Sequence, residues 1–270
     1  MKRVLPLVML SSLCLAQRPA PVELELMTYP EVYSAIHEQG KTTVLIFNGG
    51  TEQRGPHAVL GGHTFIARSV ADEIARKLGN ALVAPVLPFS PTDAFVKPQW
   101  PGTISVSTEL YTKMNEAIVA DMVVAGFKNI VLMGDHGGGQ KQLEVLAGSL
   151  NAKYSPEGVH VLYCGAAYAK ARDDFDAILK EKKLPVSNHA GIPDTSELMY
   201  LGGDAYVRKD RIVAGDPVLA PGEKRDPNVP LVNNGIQGDP RGSTPELGKR
   251  AIDIKIADAV EEIQRLIGSR

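Results

Sequence analysis

The stretch Thr42-Thr-Val-Leu-Ile-Phe-Asn48-Gly-Gly-Thr-Glu-Gln-Arg-Gly-Pro-His57, continued by Gly61-Gly-His63, decides how this chain of 270 residues is read. Its first part, Thr42 to Phe47, is a short apolar, β-branched run of the kind that forms a strand buried on both faces. Its second part is a loop punctuated by Gly and Pro that carries one carboxylate, Glu52, and two imidazoles, His57 and His63. Glycines let backbone and side chains converge, so a loop of this composition can fold its donors onto one cation. The pattern recurs downstream, where the run Asn129 to Met133 leads into Gly134-Asp-His-Gly-Gly-Gly139. Two donor-bearing loops at two strand ends point to one shared site.

Working outward, strands and helices alternate. Further strand-like runs fall at Ala81 to Leu87 and Val159 to Cys164. Between the runs lie helical stripes: Ile66, Val70, Ile74 and Leu78, closed by Gly79; Leu110, Met114, Ile118 and Met122, opened by Ser107 and closed by Gly126; and Leu143, Leu146, Ala147 and Leu150. Such alternation predicts an α/β fold, a three-layer α/β/α sandwich with a mostly parallel central sheet, whose ligands bind beyond the carboxyl ends of the strands. From Asp204 to Arg241 the texture changes to Pro, Gly and Asn with little periodicity, which reads as an ordered surface excursion. A closing helix starts near Thr244, with Pro245 in its first turn and Ile252, Ile256, Val260, Ile263 and Ile267 as its buried face.

Composition bounds the function. A net charge of −2 with scattered Lys and Arg offers no basic field for nucleic acid. At the N-terminus, Lys2-Arg3, the apolar run Val4 to Leu13 and Cys14-Leu15-Ala16 before Gln17 read as a secretory signal peptide over residues 1–16, followed by a single domain over 17–270. The apolar run is well short of the ~20 residues that span a bilayer, so stable membrane insertion is not expected and the mature protein is expected to be periplasmic or secreted. Leu13 before Cys14 argues against lipidation, and Cys164, inside an apolar run, reads as a buried strand residue.

Four segments together resemble the creatininase (creatinine amidohydrolase) family: Gly50-Thr-Glu-Gln-Arg-Gly-Pro-His57, Pro101-Gly-Thr-Ile-Ser105, Gly134-Asp-His-Gly-Gly138 and His189-Ala-Gly-Ile-Pro-Asp-Thr-Ser196, with Gly235-Ile-Gln-Gly-Asp-Pro240 as a weaker fifth. The similarity runs from about Val44 to Leu266. It implies the three-layer fold, metal-dependent hydrolysis of amide-type C–N bonds and a homo-oligomer. The chain also departs from the family's dinuclear pattern. Where that pattern places a second ligand His, this chain has Arg54, which cannot coordinate a cation. The position of the bridging Asp is His63, and that of a further Glu is Gly138.

Glu52, His63 and His136 remain as the expected metal ligands, a carboxylate and two imidazoles suited to one divalent cation, zinc first with manganese or iron as alternatives. His63 fits equally well as a cap for the helix that starts near Thr64. Arg54 either supplies a fixed positive charge to a developing oxyanion or pairs with Asp135 or Asp194. By the resemblance His189 shuttles a proton to the leaving amine, and Asp194, where the family has Glu, is a general base or residual ligand. His57 is assigned to orienting a ligand or the loop, and Asp135 to fixing its turn. The expected chemistry is attack of metal-activated water on a small linear or cyclic amide, formamides included, with creatinine disfavoured because the chain has Trp100 as its one tryptophan. The contrasting expectations are a catalytically inactive small-molecule-binding member of the same fold, and an enzyme for unrelated esters or phosphates.

Overall fold

The computed structural model describes residues 20–219 and 222–268, so the proposed signal peptide lies outside the described residues. Four parallel strands form one sheet in the order β2-β1-β3-β4: β1 (Thr43–Asn48), β2 (Ala81–Val83), β3 (Asn129–Gly134) and β4 (His160–Tyr163). Every residue of β1 is buried, and Thr43 pairs with Asn129 on one side and Ala81 on the other. The run beginning at Ala81 is regular only to Val83, because Pro85 lacks the N–H that the ladder needs. Pairing resumes as a single bridge in which Gly49 N–H donates to the Leu87 carbonyl at 2.8 Å.

Helices cover both faces, as the alternation predicts. They are α1 (Tyr29–His37), α2 (Gly62–Leu78), α3 (Thr108–Ala125), α4 (Gln140–Tyr154), α5 (Ala169–Glu181), α6 (Ile192–Gly202) and α7 (Pro245–Gly268). α2 packs on β1 and β2 and is joined by α6 and α7, while α4 packs on β3 and β4 and is joined by α3. The expected stripes of α2, α4 and α7 are core or lie against it. In the stripe of α3, Ile118 and Met122 pack against the core, but the fully buried line runs one residue on. Tyr111, Asn115 and Val119 face inward and Leu110 is exposed, because Asn115 meets Asn48 in a reciprocal amide pair at 3.0 and 3.1 Å at the end of β1. A buried polar pair of this kind escapes a hydrophobic pattern. Ser107 caps α3 by accepting from Leu110 N–H at 3.1 Å, as expected.

Three helices lie outside the stripes read from the sequence. α1 is marked instead by a capping box between Thr28 and Glu31. α5 buries only Ala171, Phe175 and Leu179, and α6 buries Thr195, Ser196 and Glu197 alongside its apolar residues. α6 and α7 cross with backbones nearly touching: a methyl group on Gly248 would lie 1.9 Å from the Ser196 carbonyl oxygen. That approach sets Glu197 of α6 against Lys255 of α7. Cys164 is buried just past β4, and burial pushes its thiol up. Among the described residues no helix is long and apolar enough to cross a membrane.

The sheet order places the functional crevice. From β1 the chain moves to one side to form β2, then returns to form β3 on the other, so the connections diverge beyond the ends of β1 and β3. In parallel α/β sheets this switch point is where ligands bind.

Candidate active site

Both donor loops leave the sheet at that switch point. The loop after β1 carries Glu52 and is braced from two sides: Glu52 N–H donates to the Leu60 carbonyl at 3.0 Å, and Gln53 N–H to Thr103 Oγ1 at 2.9 Å. Thr103 belongs to the Pro101–Ser105 segment, whose Ser105 Oγ in turn accepts from Thr92 N–H. His63 sits in the first turn of α2 but does not cap it, since its ring faces the crevice. His136 follows β3 by two residues.

These three side chains converge. One donor atom from each of Glu52, His63 and His136 lies within 4.8 Å of the others, and all three residues are buried. His63 Nε2 is 3.1 Å from Glu52 Oε1 and His136 Nε2 is 2.8 Å from Glu52 Oε2. Thr92 Oγ1 donates to Glu52 Oε2 at 2.5 Å. Burial opposes the charge on Glu52, but hydrogen bonds with His136 and His63 outweigh it and hold the carboxyl well below its usual range.

Each far ring nitrogen is occupied. His63 Nδ1 lies 2.8 Å from Asp135 Oδ2. His136 Nδ1 is 2.9 Å from the amide and 3.2 Å from the carbonyl of Gly138, so either tautomer is satisfied. An imidazole tied at one nitrogen, with the other turned to a carboxylate that could share a cation with it, suits a divalent-metal ligand. The donor set therefore fits a cation.

A third imidazole reaches the same carboxylate. His189 Nε2 lies 2.7 Å from the Gln53 carbonyl oxygen and 3.0 Å from the Gln53 side-chain amide nitrogen, so that nitrogen is satisfied in either tautomer, and Nδ1 faces Glu52 Oε1 at 3.5 Å. Burial pushes the His189 pKa down despite the nearby Glu52 and Asp194 charges, favouring the neutral ring. Phe95 stacks on it at 4.1 Å. The His189 loop is held by Gln237, whose N–H donates to the His189 carbonyl at 2.9 Å, so the excursion's Gly235–Pro240 segment returns to the site.

Arg54 is fully buried and pairs with Asp194, Nη1 to Oδ1 at 3.1 Å. Between the two partners offered by the sequence, Asp194 is the one in contact. Burial works against Asp194's charge, but Arg54 overrides it and holds the carboxyl well below its usual range. Asp194 Oδ2 also accepts from Ala190 N–H at 2.6 Å, which ties the start of α6 to the residue after His189. His57 points away from the cluster toward Thr195 Oγ1 at 2.8 Å, and burial pushes its pKa down to about 4. Gly138 leaves no room for a side chain, since a methyl group there would lie 1.9 Å from the Pro91 carbonyl oxygen.

A cavity of ≈ 250 Å³ opens over the cluster. Glu52, His63, His136, His189 and Asp194 line it and Arg54 does not. Among the lining residues that the sequence does not mark are Phe95, Phe175, Glu197 and Lys255. Lys255 Nζ lies 2.7 Å from Asp135 Oδ1 and 2.9 Å from Glu197 Oε1, an ammonium shared by two buried carboxylates. No local signal marks these residues, since each reaches the cavity only through long-range packing.

Comparison with known proteins identifies the family and the fold. The Creatininase family, described as creatinine amidohydrolase, matches residues 25–263. The chain is 28% identical over 251 residues to the mycofactocin precursor peptide peptidase of Mycobacterium tuberculosis (strain H37Rv), covering 87% of this chain and 91% of that one. A crystal structure of creatininase superposes with a TM-score of 0.75 at 19% identity, covering 92% of this chain and 98% of the other, which shows the fold. A manganese form of creatininase and a variant of Zn-Zn type superpose at 0.74 and 0.71, each 19% identical, covering 91% and 92% of this chain and 98% of theirs.

Proposed function

The chain belongs to the creatininase family, and from that premise we propose that it hydrolyses an amide C–N bond with water activated by one divalent cation held by Glu52, His63 and His136. The observation that carries this reading is the convergence of those three donors on the floor of a cavity that His189 also lines. A cation held there supplies Lewis acidity and a nucleophilic water at neutral pH. Zinc or manganese suits the donor set.

The protein's own groups then divide the work. His189, whose Nδ1 is turned toward Glu52, takes on that nitrogen the proton that water loses as its oxygen attacks the carbonyl carbon. The same nitrogen returns that proton to the leaving nitrogen as the C–N bond breaks. Asp194 is poorly placed as a base, since Arg54 and the Ala190 amide occupy its two oxygens. It positions the His189 loop instead, and Arg54 contributes a fixed positive charge from behind it.

The substrate reading starts from a small linear or cyclic amide. The relative's name favours a second form of it, a peptide bond in a short peptide, and the apolar wall formed by Ala171, Phe175 and Ala251 suits a side chain. Metal-loaded protein assayed against formamides, lactams and short peptides tests both. Turnover that requires Glu52 supports the reading, while no turnover of any class by the metal-loaded protein favours a binding protein. We further place the mature chain, from near Gln17, outside the cytoplasm as a homo-oligomer, to be checked by intact mass and light scattering.

A further inference from the structure

The reading above needs His63 to present Nε2 as a lone pair, yet a neutral imidazole carries its proton on either nitrogen. We propose that Lys255 and Asp135 are positioning residues that set this choice, through a three-link relay from α7 to the cation site. The relay rests on the metal reading only for its consequence, since its geometry is internal to the protein.

Lys255 is donor-only, and its Nζ takes Asp135 Oδ1 at 2.7 Å. Asp135, wholly buried beside an ammonium, is thereby an acceptor at its other oxygen, Oδ2, which faces His63 Nδ1 at 2.8 Å. A proton on His63 is thereby fixed at Nδ1, and Nε2, 3.1 Å from Glu52 Oε1, is the nitrogen left to face a cation that Glu52 would share. Glu197 holds the far side of the ammonium at 2.9 Å, so Lys255 cannot swing away from Asp135 without leaving a buried carboxylate unpaired. Carboxylate partners of this kind orient metal-bound imidazoles, and their loss typically lowers metal affinity about 10–100-fold. The relay also accounts for a departure in the sequence. Where the resemblance places a bridging Asp, an imidazole with an imposed tautomer serves one cation.

The relay makes an asymmetric prediction for Asp135→Asn. Lys255 still demands an acceptor and takes the amide oxygen, which turns the amide NH₂ toward His63 Nδ1. The ring must then accept at Nδ1 and carry its proton at Nε2. Removing the ammonium as well, in Asp135→Asn with Lys255→Met, frees the amide to rotate and present its oxygen to His63.

The test pairs long-range ¹H–¹⁵N spectra of metal-free protein at pH 7, with the His63 signals identified by their loss in His63→Gln, with zinc affinity measured by chelator competition. We expect a proton on His63 Nδ1 in the wild type and none there in Asp135→Asn. Zinc affinity should fall about 10–100-fold in Asp135→Asn and recover by about 10-fold in the double variant. A wild-type spectrum with Nδ1 unprotonated overturns the relay without recourse to any variant. So does an Asp135→Asn protein with unchanged zinc affinity, or a double variant that binds zinc no better than the single one. A wild type that shows the Nδ1 proton but binds no zinc supports the relay and overturns the metal reading instead.

Discussion

The two sides of the crevice differ in what they offer a cation. On one side Glu52, His63 and His136 bring donor atoms together within 4.8 Å. On the other, where the family resemblance places a second cation, the protein supplies its own charge: Arg54 is paired with Asp194, and the Pro91 carbonyl fills the space that a side chain at Gly138 would need. On the proposed reading one half would be a coordination shell for one cation and the other an ion pair, Arg54 with Asp194, in place of a second.

The largest effect should come from the open half. His136→Ala removes a donor from a set of three, and metal analysis together with hydrolysis assays should show both metal and activity abolished. A variant that keeps its full metal content would place the site elsewhere.

On the closed half the effects should appear in stability. Arg54→Met leaves Asp194 without its counter-charge, and breaking a buried pair typically costs about 3–5 kcal/mol. Denaturant unfolding should show a loss of that order, with partial recovery on adding Asp194→Asn. Equal stability of wild type and Arg54→Met would mean that the pair contributes nothing to closing this side.

The comparison can be sharpened with pH. His57, beside the Arg54–Asp194 pair, has its pKa lowered by burial from 6.5 to about 4. Between those values the unfolded chain binds the proton and the folded protein does not, so the stabilisation is fully present above pH 6.5 and is lost as pH falls toward 4. The shift corresponds to roughly 3 kcal/mol at most. Unfolding free energies measured from pH 7 to 4 should fall less steeply for His57→Gln than for the wild type, and parallel curves would contradict the buried neutral ring.

The smallest expected effect is at Gly138. Overpacking against Pro91 should make Gly138→Ala about 1–3 kcal/mol less stable, and Gly138→Glu should gain no metal. A Gly138→Glu protein that is stable and binds an added equivalent would show the second side to be open.

How much of this was legible in the sequence follows from the range over which each feature is determined. Glu52 and His136 stand just past buried strands in Gly-rich loops, and both strand and loop are local signals. The four-strand parallel sheet followed from the same alternation. The most buried line of α3 is not legible in its apolar stripe, because Asn115 answers to Asn48 across 67 positions. Lys255 lies among Ile252, Ile254 and Ile256 and looks like the solvated side of a helix, yet its partners are 120 and 58 residues away. Phe95 gave no signal because its stacking on His189 joins two irregular segments. Arg54 was marked as unusual from sequence alone, but choosing Asp194 over Asp135 required the packing of α6 beneath it.

The central claim is that one side of the crevice holds a cation and the other has replaced one. Metal content per chain, measured on wild-type protein purified without chelator, loaded with zinc and dialysed, tests it directly. The account predicts one equivalent, lost in His136→Ala. Two equivalents that survive dialysis and are both bound beside Glu52 would contradict it.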